Sequence, residues 1–227
     1  MMPPIPENEA ARLDALRRYR VLDTAPERAF DDVTRLASYI CGTPMALVTL
    51  LDSERQWFKS KIGLDGTETS RDTAFCAHTI QEEKLMIVVD ATQDERFRAN
   101  PYVTGDPHVR FYAGAPLLTP EGYGLGALCV LDRKPRQLSA VQVEALQALS
   151  RTIVNALELR RVSHDLAEAA ENIKTLKGLI PICSYCKGVL NERGYWESVD
   201  KYICEHTDAG FTHGICPKCA EKQLAGL

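Results

Sequence analysis

The sequence is short of the features that mark several protein classes. No apolar run approaches the roughly 20 residues of a membrane-spanning helix. The longest runs are 44–51 and 85–89, so no membrane contact is expected. The N-terminal stretch Met1-Met2-Pro3-Pro4-Ile5-Pro6-Glu7 has neither the basic nor the apolar part of an export signal, which predicts a cytoplasmic location. There is no basic surplus. The 27 lysines and arginines face 31 aspartates and glutamates, a net charge of −4, which argues against nucleic acid as a partner. Low-complexity tracts and long internal repeats are absent. With 45% hydrophobic and 26% charged residues, the 227-residue chain can bury a full core, and wholesale disorder is excluded.

Cysteine is plentiful instead. In a cytosolic chain, eight cysteines do not read as a disulfide framework. Cys41, Cys76 and Cys129 are scattered over the first 130 residues. Cys183, Cys186, Cys204, Cys216 and Cys219 crowd into the last 45. The change divides the chain into two chemically different regions.

Apolar periodicity predicts helices over 9–20 and 27–41, the second ended by Gly42-Thr43-Pro44. Strands are expected over 45–52, 56–62, 86–90, 109–118 and 124–131, with a loop over 63–73 and one or two helical turns over 74–81. The stretch 93–102 reads as irregular. This order gives an α+β domain around a largely antiparallel sheet. From Leu138 to Lys177 there is neither glycine nor proline, which predicts one long helix. Its distal half carries a heptad, Leu159, Val162, Leu166, Ala169, Ile173, Leu176 and Ile180. Two arrangements fit: a helix packed on its own domain, or a two-stranded coiled coil. The strongly charged remaining positions favour the coiled coil, and hence a homodimer. Thr152 and Asn155 hold the heptad positions upstream. Ser163-His164-Asp165-Leu166 resembles the start of a histidine-kinase phospho-acceptor box, but the basic residue and proline that follow in that pattern are missing, and His164 reads as a solvated histidine.

One ordered set of motifs carries a resemblance. Arg71-Asp72-Thr73-Ala74-Phe75-Cys76-Ala77-His78 precedes Val88-Val89-Asp90-Ala91 and Asp94-Glu95-Arg96-Phe97. Asn100-Pro101, Arg110-Phe111-Tyr112-Ala113-Gly114-Ala115-Pro116-Leu117 and Gly124-Leu125-Gly126-Ala127-Leu128-Cys129-Val130-Leu131-Asp132 follow. Over residues 9–160 the chain resembles the GAF domains of bacterial sensor histidine kinases and diguanylate cyclases. The resemblance implies a ligand cavity on one face of the sheet. Phe75, Cys76, His78, Phe111 and Tyr112 are its candidate ligand-binding wall, the ligand itself being unknown; the same aromatics also suit plain core. The acidic and Asn-Lys signature of cyclic-nucleotide-binding GAF domains is missing.

The strongest chemical signal is Cys183-Ser184-Tyr185-Cys186 with Cys216-Pro217-Lys218-Cys219. Each C-x2-C sets two thiolates on one tight turn, the spacing of two corners of a tetrahedral zinc site. The four cysteines are the expected metal ligands, for one structural Zn2+. His213 or His206 stands as a substitute, with Cys204 as a spare. A knuckle, a hairpin and a second pair opening a helix is similar to a treble-clef zinc finger. Packed free thiols and a redox dithiol are the competing readings. Residues 177–227 balance six basic against six acidic side chains, so this module reads as a contact for a protein partner.

The expected organisation is an arm over 1–8, a GAF sensor over 9–137, a signalling helix over 138–179 and a zinc module over 180–227. The expected function is non-catalytic signal transduction, with a possible small-molecule ligand and a signalling partner. The alternatives are a redox sensor acting through zinc thiolates, or an enzyme like the free methionine sulfoxide reductases with Cys76 as nucleophile.

Overall fold

Two segments are apolar along nearly their whole length, and they form the centre of a sheet. β1 (Met45–Leu51) and β6 (Gly124–Asp132) are buried at every position and pair antiparallel, with Leu47 opposite Cys129. β2 (Arg55–Ile62) returns antiparallel along the outer side of β1, as the hairpin pattern predicts. β5 (Phe111–Leu118) lies along the other side of β6, joined to it by a turn at 119–123. A short β4 (Met86–Val88) forms one edge. The other edge is β3 (Glu68–Ser70), which falls inside the predicted loop and pairs with Arg55, Gln56 and Trp57. Three polar residues give no alternation to read, so only the pairing with β2 makes this strand. The order across the sheet is β3-β2-β1-β6-β5-β4, every neighbour antiparallel.

The structure, a computed structural model, describes residues 3, 5–177, 180–191, 193–207, 210–212 and 214–224. Of the residues singled out above, Met1, Met2 and Pro4 of the arm, Leu179 at the predicted boundary, and His213 lie outside this set, as do the side chains of Ile173 and Leu176. The chain divides into two compact units, Met1–Asp165 and Leu166–Leu227. No described helix is long and apolar enough to cross a membrane.

Side-chain alternation sends the sheet's residues into two separate cores. One core lies under α1 (Glu9–Arg18), α2 (Arg28–Cys41) and the first half of α5 (Ala140–Lys177). Phe30, Val33, Ala37 and Cys41 form the buried face of α2 at helical spacing, and Gly42 closes the helix at φ 60°. Leu146, Ile153 and Leu157 seat α5 on the same core. Burial of each is worth roughly 2 kcal/mol. The Arg161–Glu158 and Arg161–Asp165 pairs lie near the surface, where solvent screens them, so apolar burial fixes α5 to the sheet.

Past Leu157 the apolar residues of α5 turn outward. Leu159, Val162 and Leu166 are 72%, 50% and 69% exposed in the single chain. The first half of α5 packs on its own domain, and the start of its heptad presents an unpaired apolar stripe. Thr152 and Asn155 are exposed, so the upstream polar positions line no packed seam in the single chain.

Buried charges lock the N-terminal elements to the sheet. Arg12 is 1% exposed; it donates to Leu51 O at 2.8 Å and Gly124 O at 3.3 Å and pairs with Glu9 at 2.7 Å. Arg71 reaches the same Glu9 oxygen at 2.6 Å. Lys59 Nζ donates to Thr24 Oγ1, Ala25 O and Glu27 Oε1 at 2.6–2.8 Å, and Arg160 of α5 meets that Glu27 oxygen at 2.7 Å. Tyr19 donates to Glu158 of α5, and Gln142 Nε2 donates to Ile40 O at 3.0 Å.

Candidate ligand cavity and cysteine pairs

The second core, on the sheet face away from α1, α2 and α5, contains a cavity of about 220 Å3. Its floor is Leu47 of β1, Gln56 of β2, Tyr112 of β5, and Cys129 and Leu131 of β6. Its roof is Ala74, Phe75 and Cys76. These follow a 3-10 turn at Arg71–Thr73, capped by the Ser70 hydroxyl, and lead into the short α3 (Cys76–Thr79). The exposed Gly63, Asp65, Asp106 and Arg133 also line it, so the cavity reaches solvent. Asn100 helps hold the roof. Its side chain donates to Thr73 O at 2.9 Å and accepts from Tyr102 N, which opens α4 (Pro101–Thr104) inside the stretch predicted as irregular.

Phe75, Cys76 and Tyr112 come together in this wall. Phe75 is sandwiched, 4.1 Å from the Phe97 ring and 5.1 Å from the Tyr112 ring. Phe111 does not join them. On a strand successive side chains alternate, so Phe111 points into the helix-side core while its neighbour Tyr112 faces the cavity. His78 also stands off the cavity lining. It meets the edge of Phe97 at 4.9 Å, and its imidazole is held below the ordinary value by burial and by nearby Arg96.

The wall holds two polar features, of which the sequence reading passed over the first. Gln56 is 8% exposed, and its Oε1 has no hydrogen-bond partner, while its Nε2 reaches Thr69 Oγ1 at 3.3 Å. A buried acceptor left unpaired costs about 1–3 kcal/mol, which a ligand donor would recover. The signal was legible: Gln56 is the polar residue on the inward parity of β2, two before the buried Phe58. The second feature is a thiol pair. Cys76 Sγ and Cys129 Sγ lie 3.7 Å apart, both buried. Tyr112 donates to Cys76 Sγ at 3.2 Å, and its oxygen shares a 2.7 Å hydrogen bond with Thr79. Burial pushes the Cys76 thiol up, but hydrogen bonds from Cys129, Thr49 and Tyr112 outweigh it and hold it below its ordinary value. The Cys129 thiol is pushed well up by its hydrogen bond to Cys76 and by burial. Gly114 makes the Tyr112 position possible. A Cβ there would sit 2.1 Å from the Tyr112 hydroxyl, so only glycine leaves room for the ring to lie across to Thr79.

The C-terminal cysteines stand on two local frames. Around Cys183 the chain forms a knuckle. Its N–H donates to Gly188 O at 2.8 Å, Lys187 N–H returns to Cys183 O at 3.0 Å, and Lys187 takes φ 62°. Backbone N–H groups of Cys186 and Tyr185 hold the Cys183 thiol below its ordinary value. The hairpin of β7 (Val189–Leu190) and β8 (Trp196–Glu197) and then α6 (Val199–His206) follow. Cys216 O accepts from Cys219 N and Ala220 N, both at 3.0 Å, at the start of α7 (Pro217–Leu224). The thiol chemistry of each pair fits half a zinc site. Among the described residues no three of His, Cys, Asp and Glu gather as a metal site. Val189 is the one buried residue among those described in this stretch. His206 is stacked on Tyr202 at 4.1 Å and bonded to Tyr202 O at 2.8 Å.

A six-stranded antiparallel sheet with helices on one face and a roofed cavity on the other defines this α+β domain. Residues 25–157 match the GAF domain family, and the chain belongs to it. The chain is 41% identical over 167 residues to cyclic di-GMP phosphodiesterase PA2567 of Pseudomonas aeruginosa, an alignment covering 73% of this chain and 28% of that protein. This chain thus spans little more than a quarter of that relative's length. The fold is shared with the GAF domain of an Acinetobacter phosphoenolpyruvate-protein phosphotransferase, at a TM-score of 0.51 and 18% identity, over 67% of this chain and 95% of that one. It is shared too with free methionine-R-sulfoxide reductase from Neisseria meningitidis, at a TM-score of 0.50 and 15% identity, over 70% and 96%. At such identities the likeness is one of fold alone.

Proposed function

We propose that this chain is a sensory part of a bacterial signalling protein, in which occupancy of the GAF cavity sets the state of α5. One observation carries the reading: β6 is shared by the cavity and the helix seat. Cys129 and Leu131 face the cavity, while Leu128 and Val130, on the opposite face, belong to the core that holds Leu146, Ile153 and Leu157 of α5. A ligand bound unequally by two positions of β6 shifts that seat. The turn from β6 into α5 is short and pinned by the Asp132–Arg136 pair. The fitting ligand is small, with apolar surface for Leu47, Leu131 and the ring edges of Phe75 and Tyr112, and a hydrogen-bond donor for Gln56 Oε1. Similarity to a cyclic di-GMP phosphodiesterase supports an output in signalling; no catalytic role is assigned to this chain.

In this reading the stripe from Leu159 to Leu166 pairs with a second copy as a parallel coiled coil. The C-terminal cysteines hold one structural zinc, and that module contacts a signalling partner in the cytoplasm. Nucleic acid and membrane have no part in it. Native mass spectrometry of the chain purified gently from cells is expected to show a dimer retaining a small molecule, with Gln56→Leu losing that molecule. Hydrogen exchange over 140–165 is expected to quicken when the molecule is washed out. A chain that carries nothing and whose α5 exchange is insensitive to the cell's small-molecule extract overturns the reading.

A further inference from the structure

We propose that Cys76 and Cys129 form a redox centre in the cavity wall, a dithiol that a hydroperoxide converts to a disulfide. The proposal rests on the sensory reading above and names an input for the same site.

Four observations meet at this pair. The two sulfurs are 3.7 Å apart across the gap between α3 and β6, and a disulfide needs about 2.05 Å, so a small side-chain movement closes it. Both sulfurs border a cavity that reaches solvent at Gly63, Asp65 and Asp106, which gives a small oxidant a way in. The Tyr112 hydroxyl, itself held by Thr79, donates to Cys76 and to no other sulfur, so the two thiols are unequal. Gly114 reserves the space for that tyrosine. A pair serving only as packing needs neither the solvent path nor a hydroxyl aimed at one sulfur.

The step balances as follows. The Cys76 thiolate attacks one oxygen of the hydroperoxide, the O–O bond breaks, and the departing alkoxide or hydroxide takes a proton to leave as alcohol or water. Cys76 is then a sulfenic acid. The Cys129 sulfur attacks the Cys76 sulfur, the S–O bond breaks, water leaves with the Cys129 proton, and the S–S bond forms. Two thiols lose two electrons and two protons, and the peroxide gains them. A cellular dithiol reductant reverses the change by exchange. In structural terms the new bond ties α3 to β6, the strand whose other face seats α5.

The test uses the full-length chain and hydrogen peroxide, with thiols blocked by alkylation in denaturant and peptides resolved by mass spectrometry. The expected result is a Cys76–Cys129 linkage, reversed by dithiothreitol. Cys129→Ser is expected instead to accumulate a Cys76 sulfenic acid that a dimedone probe captures. Tyr112→Phe is expected to slow the reaction about tenfold near neutral pH and to move its pH midpoint upward, since it removes a hydrogen bond to the thiolate. If Cys76 and Cys129 stay fully alkylatable under peroxide that oxidises Cys183 and Cys186, the pair is core packing and the proposal fails. That wild-type readout needs no variant to fold. It also leaves the retained-ligand experiment untouched, so the two ideas fail separately.

Discussion

Glu9 shows how one side chain can hold several elements. It accepts from both Arg12 and Arg71, and Arg12 in turn caps carbonyls at the end of β1 and the start of β6. Burial would raise the Glu9 carboxyl, but the two guanidinium groups outweigh burial and hold it at about 2, against an ordinary 4.5. A depressed carboxyl lends stability that is complete above the unfolded value and is lost as pH falls toward the folded one. Urea unfolding should therefore show the wild type weakening between pH 4.5 and 2. Glu9→Gln, which leaves Arg12 buried without its anion, is expected to be about 3 kcal/mol less stable at pH 7. The gap between the two should narrow at pH 3. A gap that does not change with pH would mean that the charge on Glu9 is irrelevant.

At the scale of elements, α5 makes the sharpest contrast. Leu157 is 1% exposed against the sheet and Leu159 is 72% exposed, only two residues further along one helix. Leu157→Ala is expected to destabilise the first unit by about 2–5 kcal/mol through the cavity it leaves. Leu159→Ala should change that stability by less than about 0.5 kcal/mol. It should instead weaken self-association measured by sedimentation. A Leu159→Ala chain that associates as tightly as the wild type would remove the stripe from the dimer. The long helix was legible because glycine and proline are missing from it. The point where it changes partner was not, because periodicity reports an apolar face and not what covers it.

The same limit applies elsewhere. β1, β2, β5 and β6 were legible from continuous or alternating apolar residues, whereas β3 and α4 were not, since pairing and the Asn100 cap make them. In the cavity, Phe75, Cys76 and Tyr112 fall where the motifs implied. Phe111 was misassigned by ignoring the two-residue period that the strand imposes. Cys129 reads in sequence as a buried mid-strand residue, and only the folded sheet reveals Cys76 beside it.

At the scale of the whole molecule, the two units rest on different physics. The first has two extensive apolar cores. The second exposes Tyr185, Tyr195, Trp196 and Ile215 by more than half each, so little apolar burial holds it. Structural zinc on four thiolates supplies on the order of 10 kcal/mol in small modules, enough to replace a core. The purified chain is expected to carry one zinc on Cys183, Cys186, Cys216 and Cys219, and Cys183→Ser should lose it. Proteolysis of that variant should then begin beyond residue 180, with the melting of the first unit unchanged. A zinc-free wild type with an equally protected C-terminus would remove the metal from the account.

The bonds that reach from α1 to β6 and from Tyr19 to α5 bear on how the protein is made. Arg12 must wait for Gly124, 112 residues later, and Tyr19 for Glu158, 139 residues later. During synthesis from the N-terminus, hairpins such as β1–β2 can form early. The buried arginine stays without its last acceptor, and the helix-side face of the sheet stays uncovered, until Leu146, Ile153 and Leu157 have left the ribosome. A chain halted before that point presents a bare apolar sheet to chaperones and proteases, and one completed past it closes at both ends together. A GAF domain cut before Leu146 would thus lack the residues that cover this face of its sheet, and fold and outgoing helix are expected to be gained together.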